Sequence, residues 1–600
     1  MIRIVTGIRK HAVILLLCLS ALAASCIILA MQSDTASADS PYTQTGEAGE
    51  NVKWTYSRMS GSITFSGTGE MYDYEILTDD PNDPRAQAPK WSNFDVRTAV
   101  FSEGITHVGK SALRYNRSVT SISLPSTLES IGQNAFSGTK IQTITIPSSV
   151  TSIDTLAFSN SALTSITIPD TVTYLGPSAF AKCRYLTHIT LGEGITEINQ
   201  GLFANTPALE SVELGSNVQR IGRWLTTDSG LESITVPASV IWISSSAFSA
   251  RSADSLKEVI VEDGNAIYSS ENGVLYDREK TELIRFLPAM ETDSFEIPDT
   301  VRYLGDNSFL YAENLEHVTL PDGLEFIGLE AFSLCTSLKE MVIPDSVTQI
   351  AKNGIATGGT LDLLRVGEGI RVVTMATIPS LSDVRVIEVG TSVEKLDTSA
   401  LHGNPSLEYV DVHKDSLHYA SADGILYNAN MTQLLVAPCR KTGSASLPGS
   451  VTHVADNAFL NSGLDNVVLS GNIQVLGNGS FRNSSLKAII IPDTVKIIGN
   501  EAFEGCSDLK FVYFVGQNPP SMGYDAFSTG GGLRVYSSMQ RGFVDAYSSD
   551  SMDYYESEVF YSDAADMIMH GQYFVVGIIL AAALTLIAGE YLVRRRHGRN

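Results

Sequence analysis

Four stretches of this chain carry residues at spacings that chemistry uses. Gly104–Ser111 reads GITHVGKS and satisfies GxxxxGK[ST], the loop in which backbone amides cradle phosphates, lysine reaches them and the hydroxyl meets magnesium. Ser392–Lys395 reads SVEK, the Ser-x-x-Lys spacing of a serine nucleophile beside a basic partner. His402, His413 and His418 lie close enough in sequence to be considered as zinc ligands. The acidic loop DDPNDP at 79–84 offers carboxylates to calcium, without the ligand order of an EF-hand.

The elements that would position these residues argue against the chemistry. Leu113 opens a series of apolar residues that continues through Phe136, Phe158, Phe180, Phe203, Leu225 and Phe248 at steps of 22 or 23 residues. It resumes at Phe309, Phe332, Ile355, Ile378 and Leu401, then at Phe459, Phe481, Phe503 and Phe527. A fixed period of this length is the mark of a solenoid, whose units bury their apolar sides against one another. Aligned to the repeat, Ile105, Val108 and Val393 fall on core rows, and Lys110-Ser111 takes the slot of Pro177-Ser178. No βαβ unit follows the first motif, no Cys-x-x-Cys or His-Glu-x-x-His accompanies the histidines, and no serine or cysteine has a recognisable base partner. The chain reads as a non-enzyme with no cofactor and no metal site.

One unit, Leu163–Cys183, predicts its own coil. Leu163-x-x-Ile166-x-Ile168 forms a strand that turns Ile166 and Ile168 inward and Ser165 and Thr167 outward. Pro169 ends the ladder, Asp170-Thr171 turns the chain, and Val172 and Leu175 make a second inward row. Gly176 allows a corner, and Ala179-Phe180 fits a helical turn that closes the coil. The pattern L-x-x-I-x-I-P-x-x-V-x-x-I/L-G-x-x-A-F-x-x-C recurs at 163–183, 315–335 and 486–506. It resembles the BspA-type (Treponema pallidum-type) leucine-rich repeat family over about four-fifths of the chain. GSITFSGTGEMYDY (61–74) with APKWSNF (88–94) resembles the N-terminal cap of such proteins. The resemblance implies surface adhesion and partner binding. The expected fold is a leucine-rich-repeat solenoid, β-rich, with parallel strands stacked along a curved rod and short helical turns.

The ends set the expected organisation. Residues 1–38 combine Arg3, Arg9 and Lys10, a long apolar run and small residues at 36–38, which reads as a signal peptide or, uncleaved, as an anchor. Cys26 offers a faint lipoprotein site. Residues 573–593 are long and apolar enough to span a bilayer, and the basic tail at 594–600 places that end in the cytoplasm. Between them lie a cap region at 39–100, a solenoid at 101–540 with insertions near 257–300 and 411–450, and a C-terminal cap and linker at 541–572. This predicts a single-pass protein of the cell surface, held in the membrane by its C-terminal helix.

The net charge of −25 comes without a basic ridge, so nucleic acid and nucleotide are not expected partners. Cys183, Cys335 and Cys506 share one slot three residues after the column residue. The first two are about six coils apart, on the order of 30 Å at strand spacing, which excludes pairing within the rod. The insertions 266–288 and 417–439 resemble each other, each a turn, a Leu-Tyr strand, a polar turn and another strand. They read as longer coils or as protruding hairpins that touch a partner. Four sequons start at Asn116, Asn430, Asn478 and Asn483.

The outward strand positions form the expected binding face for an extracellular protein or glycan. They include Thr143, Thr145, Ser165, Thr167, His188 and Thr190, then Glu213, Glu316, His317, Tyr409, Phe511 and Tyr513. Two alternatives stay open: serine and threonine as plain soluble strand formers, and the whole chain as an envelope spacer without a specific ligand.

Overall fold

The computed structural model describes residues 42–75, 87–248, 255–516, 518–529 and 533–537, with the backbone of 558–559. The leader at 1–38, the acidic loop at 79–84, the linker at 541–572 apart from the backbone of 558–559, the apolar segment at 573–593 and the basic tail lie outside the described residues. No helix among the described residues is long and apolar enough to cross a membrane. The chain divides into two compact units at Gly194.

The first unit begins with an antiparallel hairpin sheet, Thr43–Glu47, Val52–Ser57 and Ser62–Gly67, and then turns parallel at Thr98–Phe101 and Ser121–Ser123. This is the cap. Its buried Trp91 packs edge-on against Phe65 at 5.0 Å and donates Nε1–H to the Ala112 carbonyl at 2.6 Å. The ring stack then passes from Phe101 to Phe136, Phe158 and Phe180 at 6.1, 5.4 and 5.5 Å.

The coils contribute to two sets of parallel strands, although residues 139–147 form no strand and leave a gap in the first set. The first sheet holds Ser165–Thr167 beside His188–Thr190; the second holds Ile105–Val108, Ser130–Ile131, Ser152–Ile153 and Tyr174–Leu175 in order. Ile166, Ile168, Val172 and Leu175 are buried, as the alternation predicts.

The third side differs from the expected helical turn. In the coil at 154–161, Ala157, Ser159 and Ser161 donate locally to Asp154, Leu156 and Phe158, closing consecutive turns. Between these bonds, Leu156, Phe158 and Asn160 donate to Pro177, Ala179 and Ala181 of the next coil. A helix would spend every amide within itself, whereas alternating turns leave each second amide to link neighbouring coils. The cost is positive φ at Leu156 and Asn160, 57° each, at the third position of turns that require it.

The second unit repeats this plan. Phe459, Phe481, Phe503 and Phe527 stack at 4.6, 5.0 and 4.8 Å with planes within 7° of parallel. Where the Ala-Phe signal fades, Ile355, Ile378 and Leu401 fill the column and are fully buried. Short helices do close the coils there, Pro379–Asp383 and Thr398–Leu401. The first-sheet strands lengthen to Leu361–Val366 and Val384–Val389, and buried Asn404 donates to the Leu381 and Val384 carbonyls at 3.2 and 3.0 Å.

Both insertions join the core. Tyr268–Glu271 pairs antiparallel with Val274–Asp277, which pairs through a bulge with Glu282–Arg285, and that strand runs parallel to Tyr303–Leu304. Tyr419–Ala422, Ile425–Asn428, Gln433–Val436 and His453–Val454 repeat the arrangement. The Leu-Tyr tyrosines, Tyr276 and Tyr427, are buried, so the reading of protruding tyrosines that touch a partner is corrected. Tyr268 and Tyr419 serve as mortar: each hydroxyl accepts the amide of the preceding coil, Ile243 or Leu396, at 2.9 Å.

A hairpin lacks the turn face whose amides would meet the next coil's carbonyls. Side chains substitute. Phe286 N donates to Ser308 O, and the buried Arg285 guanidinium donates to Asn307 O and to Leu310 O, the latter at 3.1 Å. In the second insertion, Ala437 N donates to Ala458 O, and the Cys439 thiol meets Leu460 O at 3.2 Å. Cys439 is thus a donor at a coil junction.

Candidate binding face

Where the first-sheet strands pair they place the outward side chains in rows, about 4.8 Å from coil to coil; Thr143 and Thr145 lie in a coil segment that forms no strand, between Ser121–Ser123 and Ser165–Thr167. In the first unit, Thr143, Thr145, Ser165, Thr167 and His188 are exposed and Thr190 is half-buried. Ser165 stands beside His188 and Thr167 beside Thr190. The hydroxyls fall into two classes. Thr164 and Thr187, at the strand entry, donate to the Gln142 and Thr164 carbonyls at 3.2 and 3.0 Å and act as rungs. Thr143, Thr145, Ser165, Thr167 and His188 have no side-chain partner among the described residues. Their donors and acceptors are left to solvent.

In the second unit the same positions are charged and largely satisfied within the face. Arg385 meets Asp362 at 2.7 Å and Glu408 at 3.1 Å, and Glu408 also takes Arg440 at 3.3 Å. Arg365 pairs with Glu388, and His317 lies 3.7 Å from Glu340. The Arg385 guanidinium, with Arg440 behind it, holds the Glu408 carboxyl below the usual carboxylate range. Glu213 and Tyr409 are exposed, Glu316, Phe511 and Tyr513 half-buried, and Phe511 and Tyr513 lie beside Ala488 and Ile490. The sequence proposed one face; side-chain satisfaction separates it into a neutral open row and a self-paired charged row. Arg440 comes from an insertion and was invisible to strand counting.

The chemical lookalikes resolve into structural parts. Ile105 and Val108 of GITHVGKS are fully buried strand residues. Lys110 N donates to Asp73 Oδ1 at 2.6 Å, its ammonium to the Glu75 carbonyl at 3.2 Å, and buried Ser111 donates to Glu75 Oε2 at 2.8 Å. Two carboxylates line a site that a phosphate would need to be basic. In SVEK, Ser392 N donates to Glu368 Oε2 at 3.0 Å and Val393 is core. His402 is half-buried against Leu435 O at 3.0 Å, while His413 and His418 are exposed. Among the described residues no three His, Cys, Asp or Glu converge on a metal-sized site.

One arrangement escaped the sequence. Ser130 Oγ lies 2.7 Å from His107 Nδ1, and His107 Nε2 lies 3.3 Å from Asp73 Oδ1. The coil period creates it, because His107 and Ser130 are partners on adjacent strands. A nucleophile would also need free donors for an oxyanion. The nearby amides of Glu129 and Gly132 are spent on Thr106 O and Val108 O.

The buried thiols of Cys183, Cys335 and Cys506 sit 3.1, 3.1 and 2.8 Å from the carbonyls of Phe158, Phe309 and Phe481 in the preceding coil. Burial pushes Cys183 up to about 11 and Cys335 up to about 12. Asn116 is also buried and donates to Phe94 O at 3.2 Å, so of the four sequons only Asn430, Asn478 and Asn483 are exposed in the folded chain.

The family comparison agrees with this architecture. A family model described as "BspA type Leucine rich repeat region" matches in six copies over residues 91–162, 106–229, 152–272, 286–408 and 436–535. No curated protein matches the chain. Among solved structures, a leucine-rich repeat protein from Eubacterium ventriosum is 20% identical with a TM-score of 0.34, covering 83% of this chain and 96% of its own. A leucine rich cell surface protein from Faecalibacterium prausnitzii is 21% identical with a TM-score of 0.39, covering 63% and 96%. The pneumococcal vaccine antigen PcpA is 17% identical with a TM-score of 0.33, covering 87% and 99%.

Proposed function

The chain belongs to the BspA-type leucine-rich repeat family, and from that premise we propose that it is a cell-surface binding protein. Its ligand is an extracellular protein or glycan, taken up on the outward row of the first sheet. The carrying observation is the open row of the first unit: five exposed polar side chains, Thr143, Thr145, Ser165, Thr167 and His188, without partners among the described residues. Hydroxyls donate and accept at once, and an imidazole does the same through its two nitrogens, so the row meets ligand amides, carbonyls or sugar hydroxyls without paying for buried charge. Glu213, Glu316, His317, Tyr409, Phe511 and Tyr513 are proposed as further contacts, with the aromatics as anchoring surface. Export by residues 1–38 and retention by 573–593 place the chain on the outer face of the membrane in this reading.

The test is saturable capture. The purified chain is immobilised and exposed to extracellular-matrix proteins and glycan arrays, beside a variant carrying Glu at Thr143, Thr145, Ser165 and Thr167. Capture lost in the folded variant supports the first-unit row. Capture that survives moves the site elsewhere, and no capture by the folded chain favours a spacer.

A further inference from the structure

The second sheet also presents an outward row. In the second unit it begins with Glu197, Arg220 and Trp242, register partners on Glu197–Ile198, Arg220–Ile221 and Trp242–Ile243. After the first insertion it continues with Glu282, Tyr303 and Phe326, again register partners. The two stretches meet at Tyr268. Its hydroxyl accepts the Ile243 amide at 2.9 Å and lies within electrostatic reach of both Arg220 and Glu282. Trp242 is 38% exposed and Tyr303 43%, so two large aromatic side chains flank Glu282 on a face open to water.

The joint does not require these residues. The second insertion builds the same one: the Tyr419 hydroxyl accepts the Leu396 amide at 2.9 Å, and Gln433 pairs with His453 in register. Asn428 accepts the amides of Thr432 and Gln433, as Asp277 accepts those of Thr281 and Glu282. There Lys395, Asn428, Gln433 and His453 stand where the first joint has Trp242, Asp277, Glu282 and Tyr303. One backbone thus carries two large aromatics and two carboxylates at the first joint, and amides and basic groups at the second. The first set is a choice made for something other than closing the coil.

Charge names the guest. The half-buried Glu282 side chain has no hydrogen-bond or ion-pair partner among the described residues, and an added Cβ at Gly305 would sit 2.9 Å from its Oε1. Burial, and then the carboxylates of Asp277 and Asp306, push the Glu282 carboxyl above the usual range. Those two are held by neutral donors that leave their charge in place, Asp277 by Thr281 and Glu282 and Asp306 by the Leu329 amide at 2.8 Å. The cations beside the rings are engaged away from Glu282. Arg302 donates to the Gly323 carbonyl at 2.9 Å, and Arg220 lies 4.3 Å from the Trp242 ring centre with Glu197 3.9 Å behind it. That last trio shows the mode of recognition within the chain itself: a guanidinium laid on an aromatic face beside a carboxylate.

We propose that Trp242, Glu282 and Tyr303 form a docking site for an arginine side chain of another protein. Glu282 accepts the paired N–H donors of the guanidinium, and Tyr303 with the open part of Trp242 supplies ring surface for its plane. A lysine would bring a point charge without a planar face, and a quaternary ammonium would bring no donor for the carboxylate. This site lies on the second sheet and does not rest on the hydroxyl row of the first unit.

The experiment uses the full chain in detergent at physiological salt and a fluorescent peptide, Gly-Ser-Arg-Gly-Arg-Ser-Gly, read by anisotropy. Two further peptides carry citrulline or lysine in place of both arginines. The arginine peptide is expected to saturate, with the citrulline peptide weaker by about tenfold or more and the lysine peptide by about threefold. Glu282→Gln and Tyr303→His, which install the residue types of the second insertion, are each expected to weaken arginine binding by about tenfold. Glu129→Gln, which removes an exposed carboxylate of the first unit, should leave it within about twofold. Should Glu282→Gln misfold, nitration of the unaltered chain carries the test: the arginine peptide should slow modification of Tyr303 and leave that of Tyr115, 54% exposed, unchanged. Absence of saturation, equal binding of the citrulline peptide, an equal loss in Glu129→Gln, or an unshielded Tyr303 would overturn the proposal. Choline that binds as tightly as the arginine peptide and competes with it would also overturn it, by giving the rings to a quaternary ammonium.

Discussion

Replacing Phe481 tests whether the ring column holds neighbouring coils together or merely fills space. Phe481 is 1% exposed and lies between Phe459 and Phe503, with ring centres 4.6 and 5.0 Å away and planes within 7°. Phe481→Ala removes the ring and leaves a cavity, which costs about 3–5 kcal/mol. Phe481→Leu keeps most of the volume but loses two ring pairs, each worth roughly 0.5–1.5 kcal/mol beyond buried area, for about 1–3 kcal/mol. Because each coil contacts only its neighbours, the loss belongs to the interfaces on either side. Native-state hydrogen exchange reads this locally. The amides of Phe459, Phe481 and Phe503, which donate to Ser480, Ala502 and Ala526, should lose protection together, while coils of the first unit keep theirs. Equal effects of the leucine and alanine variants would refute the stacking account. Protection lost evenly throughout the chain would refute nearest-neighbour coupling.

Three other outcomes are expected. Burial holds His402 below its ordinary 6.5, so its contribution to stability is present above that value and is lost as pH falls through the folded value. Exchange at Gln433–Val436 should therefore accelerate on acidification after correction for intrinsic rates, and His402→Gln should flatten the response. Burial raises the Cys335 thiol from 9.0 to about 12, so its contribution is complete below pH 9 and lost above it. Thiol reagents should leave Cys335 unlabelled at neutral pH until denaturant is added, and Cys335→Ala should reduce alkaline sensitivity by up to about 1.4 kcal/mol per pH unit. At the coil junctions, Arg285→Ala leaves a cavity and two carbonyls without donors and should cost about 3 kcal/mol, whereas Cys439→Ala should cost about 1 kcal/mol in urea unfolding.

The repeat made most of the fold legible, because apolar spacing records directly which residues face inward. Ile166, Ile168, Val172, Leu175 and Phe180 are buried as the sequence required. The closing turn was misread for a physical reason: Ala-Phe within a short segment satisfies helical spacing and stacked turns equally well. What decides between them is where alternate amides go, and that depends on the next coil. Positive φ at non-glycine residues such as Leu156 carries no compositional signal. The tyrosines of the insertions were ambiguous for a similar reason. Tyr268 and Tyr276 differ only in position along a hairpin, yet one hydroxyl bonds to the preceding coil while the other side chain is buried in the core. On the face, sequence named the outward residues but not their partners, since Arg385 and Glu408 are 23 residues apart and meet only because that is one coil.

The difference between the two rows has a consequence for recognition. A ligand on the charged row of the second unit must displace existing ion pairs, and exposed pairs such as Arg365–Glu388 or Arg385–Asp362 are worth about 0–1 kcal/mol each. That cost is small, but the arginines of the row already hold anions and are not free to steer an acidic ligand. Binding there would have to match several pairs at once and would respond strongly to salt. The hydroxyl row of the first unit has no such internal competitor, and its unsatisfied groups exchange water for ligand at little cost in salt sensitivity. Capture that persists in high salt therefore points to Thr143, Thr145, Ser165 and Thr167, and capture that salt abolishes points to the charged row.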